Sequence, residues 1–190
     1  PASTRWAWLS EPRGVLALLL GWAAFHVLLR LALSSTLTAD DAREAVLAQS
    51  LQWGYQARQP PLYNWLVWAS VRLLGVSTAV LILCRYATLA VAYLFLYLSA
   101  RRVLGHPILA ILAAFSLILM GPFNWDAHEE LTHSLAALAA ASATFYALLR
   151  VGRSGSVLAY LGLGAALAAG FLAKFSYGFF AGALLIGALA

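Results

Sequence analysis

Seven carboxylates are all the acid in this chain, and six of them fall in two short stretches. The first holds Asp40, Asp41 and Glu44, with Arg43 between them. The second reads Asp126-Ala-His128-Glu129-Glu130, with His133 close behind. The Asp40-Asp41 pair supports two readings. A carboxylate at a membrane surface can take the proton of an attacking hydroxyl, as a general base does. Acids in the first turn of a helix also simply favour its positive end. The second stretch looks at first like a metal site. His128 and His133 are five residues apart, however, and at about 100° per residue they diverge by roughly 140°. They therefore cannot share the single helical face that a two-histidine zinc motif requires. Oxygen ligands still suit magnesium or manganese, held by Asp40 or Asp41 with Asp126 or Glu129. The alternative is a solvated loop.

Four cations could serve an anionic substrate. Arg85 lies inside an apolar run, where its guanidinium matches phosphate geometry or its long stem lets it snorkel to the surface. Arg58 and Arg72 flank an aromatic segment and have the same two possibilities. Lys174 is the only lysine and lies in a run of Gly, Ala and Phe. An intramembrane lysine is a functional candidate by default, here as partner of a phosphate or of Asp40 and Asp41. His26 and Arg30 lie one turn apart on one helical face and carry no assignment. Cys84 is the single cysteine. No disulfide or paired-cysteine metal site can be built from it, and it reads as a small buried hydrophobe.

The elements that must position these groups are membrane helices. Hydrophobic residues make up 63% of the 190 and charged ones 10%, against roughly 25% charged in an ordinary globular domain. The mean hydropathy is +0.84, and the apolar residues come in long runs. The formal net charge of +5 is spread between those runs, without the clustered Lys/Arg and interleaved aromatics of a nucleic-acid surface. Spans are expected at about 14–34, 78–100, 103–121, 131–149 and 157–175 onward. The first follows Arg5 and Arg13 and reads as a retained signal anchor. The last residues stop inside an apolar stretch, so a longer protein with a C-terminal remainder is expected. Residues 39–53 read as an amphipathic helix capped by Thr38 and ended by Gly54.

The stretch 61–75 is apolar and aromatic but too short for a span of roughly 20 residues. If it crossed the membrane, the two acidic stretches would lie on opposite faces. If it lies along the interface, Arg5/Arg13, Arg101/Arg102 and Arg150/Arg153 all fall on one side and both acidic stretches on the other. The second arrangement satisfies the positive-inside rule at every loop and suits the belt-type aromatics Tyr63, Trp65 and Trp68. The N-terminus is then cytoplasmic.

Two longer stretches carry a family resemblance. Thr38 to Leu66 reads TADDAREAVLAQSLQWGYQARQPPLYNWL. It is similar to the first outer loop of bacterial family-39 glycosyltransferases, in which an acidic pair opens a juxtamembrane helix, a W-G-Y step follows, and then a P-P-L-x-x-W-L segment. Leu161 to Phe180 reads LGLGAALAAGFLAKFSYGFF and looks like that family's lysine-bearing span, with Lys174 as the lysine. The resemblance implies an all-α integral membrane bundle of the GT-C type. It implies an enzyme of the bacterial inner membrane that moves a sugar, with inversion, from a polyprenyl-phosphate donor to a hydroxyl of a glycan, lipid or protein on the outer face. Protein O-mannosyltransferases and the transferase that adds aminoarabinose to lipid A are of this kind. Asp40 takes the place of the catalytic aspartate and Asp41 that of a usual Glu. Arg58, Arg85 and Lys174 take the lipid phosphate. Asp126, His128 and Glu129 form a second acidic site, and a divalent cation would rest on Asp40 and Asp126. Two departures stand out. A T-P-D step of many relatives is here Thr132-His133-Ser134, without its acid. An E-K-P step is Arg58-Gln59-Pro60. A lipid-carrier flippase and an inactive membrane scaffold are the competing readings.

Overall fold

The computed structural model describes residues 7–34 and 36–189. Arg5, one of the topology-setting arginines above, lies outside them. After a short 3-10 turn, Ala7–Ser10, helix α1 runs Pro12–Leu33. It is followed by α2, Ala39–Leu47, α3, Leu62–Leu74, and α4, Thr78–Leu104. Next come α5, Pro107–Phe115, the one-turn α6, Ala127–Glu129, α7, Thr132–Ser154, α8, Val157–Ala173, and α9, Tyr177–Leu189. The described residues contain no named strand; Gln56 and Gln59 form one isolated bridge. Three helices, α1, α4 and α7, are long and apolar enough to cross a bilayer. The protein is an all-helical membrane bundle.

The organising element is α4, about 40 Å long at 1.5 Å per residue. Ser77 caps its start by accepting the Val80 N–H. It runs unbroken through Arg101-Arg102 and ends where Gly105 adopts φ 70°, a left-handed conformation glycine tolerates without a Cβ clash. It packs on α1, α3, α5 and α7. The main core lies between α1, α4 and α5, from Val15 and Leu19 through Ile82, Leu89 and Tyr93 to Ala110 and Ala114. A second cluster joins α3 to α4 and α7 through Tyr63, Val67, Leu81 and Ala136. Leu20, Leu28 and Leu33 on α1 and Leu158 and Leu161 on α8 face outward. In water such a surface would aggregate; against lipid tails it is the required one.

Three boundaries differ from the sequence expectation, each for a local reason. Helix α2 stops at Leu47, short of 53 and Gly54, because the Tyr55 hydroxyl gathers the Ser50 carbonyl and the Gln52 N–H into a turn. The apolar stretch 103–121 is split. Its first two residues belong to α4, Pro107 restarts the chain as α5, and a 3-10 turn at Ser116–Leu119 closes it. The stretch at 157–175 does not continue past Lys174. Lys174 is extended after α8 ends at Ala173, and α9 comes back beside α7, where Tyr177 and Ala181 cluster with Ala140. The Tyr177 ring fills the notch over Gly170, leaving no room for a Cβ there. The Tyr177 hydroxyl shares a 2.6 Å hydrogen bond with Thr144.

A candidate active site where two acidic segments meet

Helix α2 begins as expected, with the Thr38 hydroxyl accepting the Asp41 N–H. Asp40, Asp41 and Glu44 then fall within one helical turn, three carboxylates on neighbouring positions. The helix docks against α3 and against the segment that leads into α7. Asp41 and Glu44 are buried, while Asp40 stays partly exposed.

Arg85, the largest fully buried side chain of the described residues, fixes this junction. Its Nη2 donates to Asp41 Oδ1 at 2.7 Å and to the Glu129 carbonyl at 3.2 Å. Its Nη1 donates to the carbonyls of Ala127, at 3.2 Å, and Glu130, at 2.6 Å. One guanidinium from α4 therefore ties α2 to the 127–130 turn. Such a fork is pre-organised for several acceptors at once. The expectation that Arg85 grips a lipid phosphate fails on this geometry. Its Nη atoms are already committed to protein oxygens, its Nε is buried without a partner, and no exposed edge remains. Arg85 is a clamp.

The clamp brings the two acidic segments into direct contact. Asp40 Oδ2 accepts the Leu131 N–H at 3.1 Å, across 91 positions of sequence, and Oδ1 accepts from Arg43 Nη1 at 3.3 Å. Leu131 has φ 68°, a left-handed conformation unusual for a leucine. Immediately after it α7 begins, so this kink aims the first turn of α7 back at α2. There His133 Nε2 lies 3.3 Å from Glu44 Oε1. Asn64 of α3 donates to Glu44 Oε2 at 2.6 Å, and the Tyr63 ring tilts against His133. One position further, Ser134 accepts a 2.7 Å hydrogen bond from Lys174 Nζ. Lys174 thus meets the hydroxyl that closes the Thr132-His133-Ser134 step.

The remaining sequence candidates are placed differently. His128 shares a 2.9 Å hydrogen bond with Tyr86 and stacks on His26 at 4.9 Å. Burial, then the nearby His26 and Arg85 charges, push its pKa down to about 4 against a weaker pull from a Phe123 backbone hydrogen bond. It is neutral at ordinary pH. Glu129 contributes its backbone carbonyl to Arg85, while Asp126 and Arg58 are exposed. Among the described residues no group of three or more His, Cys, Asp or Glu side chains could hold a metal ion. Asp40 and Asp126, the pair expected from sequence to hold a cation, therefore belong to no such group.

Beside the junction an apolar cavity of about 500 Å³ opens between α3, α4, α7 and α8. It extends from Leu62, Cys84 and Ala136 down to Val91, Phe95 and Ala143. Ala136 is two residues from Ser134 and Ala169 five from Lys174. The lysine therefore stands near the head of a groove that is otherwise almost free of polarity.

The described residues thus form a membrane helix bundle with a carboxylate cluster on the short helix α2. The family model described as dolichyl-phosphate-mannose-protein mannosyltransferase matches residues 58–190, and the chain belongs to that family. The lipopolysaccharide core galacturonosyltransferase RgtB of Rhizobium johnstonii is 34% identical over 92% of this chain and 35% of its own length. The related RgtA of the same organism is 34% identical over 84% of this chain and 32% of its own length. The chain thus spans about a third of the length of these curated relatives. No solved structure matches it.

Proposed function

We propose that the protein transfers a sugar from a polyprenyl-phosphate carrier to an acceptor hydroxyl at the acidic end of the bundle, with Asp40 as general base. The observation that carries the assignment is the difference between neighbouring carboxylates. Asp41 is buried on Arg85 and Glu44 on Asn64 and His133. Asp40 alone of the three keeps a quarter of its side chain exposed. It is held in place by the Leu131 N–H and Arg43.

In the proposed step the acceptor oxygen bonds to the anomeric carbon as its proton passes to Asp40. The bond from that carbon to the phosphate oxygen breaks, and its electron pair leaves with the polyprenyl phosphate. Attack opposite the leaving group inverts the centre. Lys174, at the head of the apolar cavity, is the cation available to the departing phosphate, and the cavity itself suits a prenyl tail. Arg58, exposed beside α3, is the second phosphate candidate. The names of the relatives favour a hexuronic acid as the sugar and a lipopolysaccharide core as the acceptor. The positive-inside rule favours an outward-facing acidic end in an inner membrane.

The test is Asp40→Asn in the full-length protein, assayed in membranes with a labelled polyprenyl-phosphate sugar. Loss of turnover by about 10²-fold or more is expected for a general base, with insertion unchanged. Undiminished turnover would retire the assignment. Carrier movement without sugar transfer in the wild type would support a flippase instead.

A further inference from the structure

The opposite end of the bundle holds a second constellation that the proposed reaction does not use. Arg102, in the last turn of α4, and Arg150 and Arg153, in the last turns of α7, line a concavity of about 380 Å³ closed by Ser154. Arg102 is held in place: its guanidinium carbon lies 4.8 Å over the Tyr146 ring, and Nη2 is 3.4 Å from the Tyr146 hydroxyl. The neighbouring Arg101 turns away to the Gly105 carbonyl. None of the ion pairs among the described residues involves Arg102, Arg150 or Arg153. Six of the seven acids lie in the two segments at the far end, and the seventh is Glu11 before α1. Three guanidiniums thus share one pocket without a carboxylate.

A second, apolar cavity of about 330 Å³ adjoins this pocket and shares Arg150 with it. It runs between α4, α7 and α8 past Tyr146, Ala147, Gly162 and Ala166 to Phe95. A basic pocket opening into an apolar groove fits an anionic amphiphile. Along α4 the seventeen residues from Arg85 to Arg102 span about 25 Å, close to the thickness of a bilayer's hydrocarbon core. The pocket is therefore at headgroup depth in the leaflet opposite the acidic site. We propose that it binds an anionic glycerophospholipid, its phosphate among Arg102, Arg150 and Arg153 and one acyl chain along the α4–α7–α8 groove. Arginine suits this task because its planar fork takes phosphate oxygens in pairs.

Arginines at helix C-termini also complement the helix dipole and set topology, so the test separates those roles from binding. Full-length protein in nanodiscs is examined by native mass spectrometry for retained lipid, with phosphatidylglycerol and phosphatidylcholine offered together. The wild type is expected to retain phosphatidylglycerol selectively. The double variant R150K/R153K keeps charge, dipole complement and topology but loses the fork. It is expected to retain about tenfold less. Gly162→Leu, where an added Cβ meets nothing within 4 Å, fills the groove and is expected to lower retention without touching an arginine. Equal retention of both lipids, or wild-type retention in both variants, overturns the proposal. Displacement of the lipid by millimolar inorganic phosphate, with Gly162→Leu indifferent, reassigns the pocket to a free anion and overturns it equally.

Discussion

The two ends of α4 handle charge in opposite ways. At the Arg85 end, six carboxylates share their surroundings with Arg30, Arg43, Arg58, Arg72, Arg85 and Lys174, and the account is neutral. Its central members are buried, and Asp41, Glu44 and the Arg85 Nη atoms are held by side chains and backbone. At the Arg102 end, Arg13, Arg101, Arg102, Arg150 and Arg153 face only Glu11, so the positive excess of the chain is there. That end leaves its charge to water and lipid headgroups. Buried pairs act in a low effective dielectric and are weakly screened. Exposed arginines contribute little to the folded state. One end is therefore built as a rigid site and the other as a surface.

The sharpest way to break that contrast is to remove one guanidinium from each end. Arg85→Ala strips Asp41 of its partner and leaves three backbone carbonyls without donors. Breaking a buried pair in this way costs about 3–5 kcal/mol. Arg153→Gln is expected to change stability by less than about 0.5 kcal/mol. Thermal unfolding of the two variants in the same detergent measures the difference. Equal midpoints would mean that the Arg85 junction does not hold α2 to α7.

A smaller effect is expected from two glycines of α8. Gly170 lies under the Tyr177 ring, and a Cβ there would fall 2.2 Å from it. Gly170→Leu must push the ring out, freeing the Thr144 hydroxyl and loosening the break that carries Lys174. Overpacking of this kind costs about 1–3 kcal/mol, and sugar transfer is expected to fall with it. Gly162→Leu, toward the Arg102 end, meets open space and is expected to leave both stability and transfer near wild type. Unfolding midpoints and turnover, read side by side, check the pair. A harmless Gly170→Leu would mean that Tyr177 does not position the lysine.

Much of the acidic end was legible in the sequence, and its limits are instructive. Charge parity required both acidic stretches to fall together, because the loop arginines could share a side only if 61–75 did not cross. The two stretches do meet in the structure, through the Leu131 N–H on Asp40. The Thr38 cap was legible because a threonine before an acidic first turn has few other uses. Arg85 was singled out for its depth but given the wrong partner, since sequence shows that a charge is buried and not what surrounds it. Glu44 could have been suspected: it lies one turn from Asp40 and Asp41 on the same helix. Its partners Asn64 and His133 could not, because each comes from a different helix and neither belongs to a spaced pattern. Nor could the kink at Leu131, since leucine is not a residue that marks a left-handed turn. The end of α8 was missed for a related reason. Apolar composition runs through Lys174 without interruption, and only the fit of Tyr177 over Gly170 decides where the chain turns.

The gentlest probe of the acidic end is pH, acting through His128. Its ring lies between His26 and Tyr86, and its pKa is pushed down to about 4, chiefly by burial. The folded protein thus binds a proton there less readily than the unfolded chain, whose histidine titrates near 6.5. The stabilisation from a neutral His128 is complete above pH 6.5 and is lost progressively as pH falls toward 4. Solvent at the exposed edge of the ring holds the effect to about 1 kcal/mol. Unfolding midpoints of wild type and His128→Asn, compared at pH 7.5 and pH 4.5, isolate it. Wild type is expected to lose more stability between the two than the variant does. A parallel fall in both would place the acid sensitivity outside His128 and its packing on His26 and Tyr86.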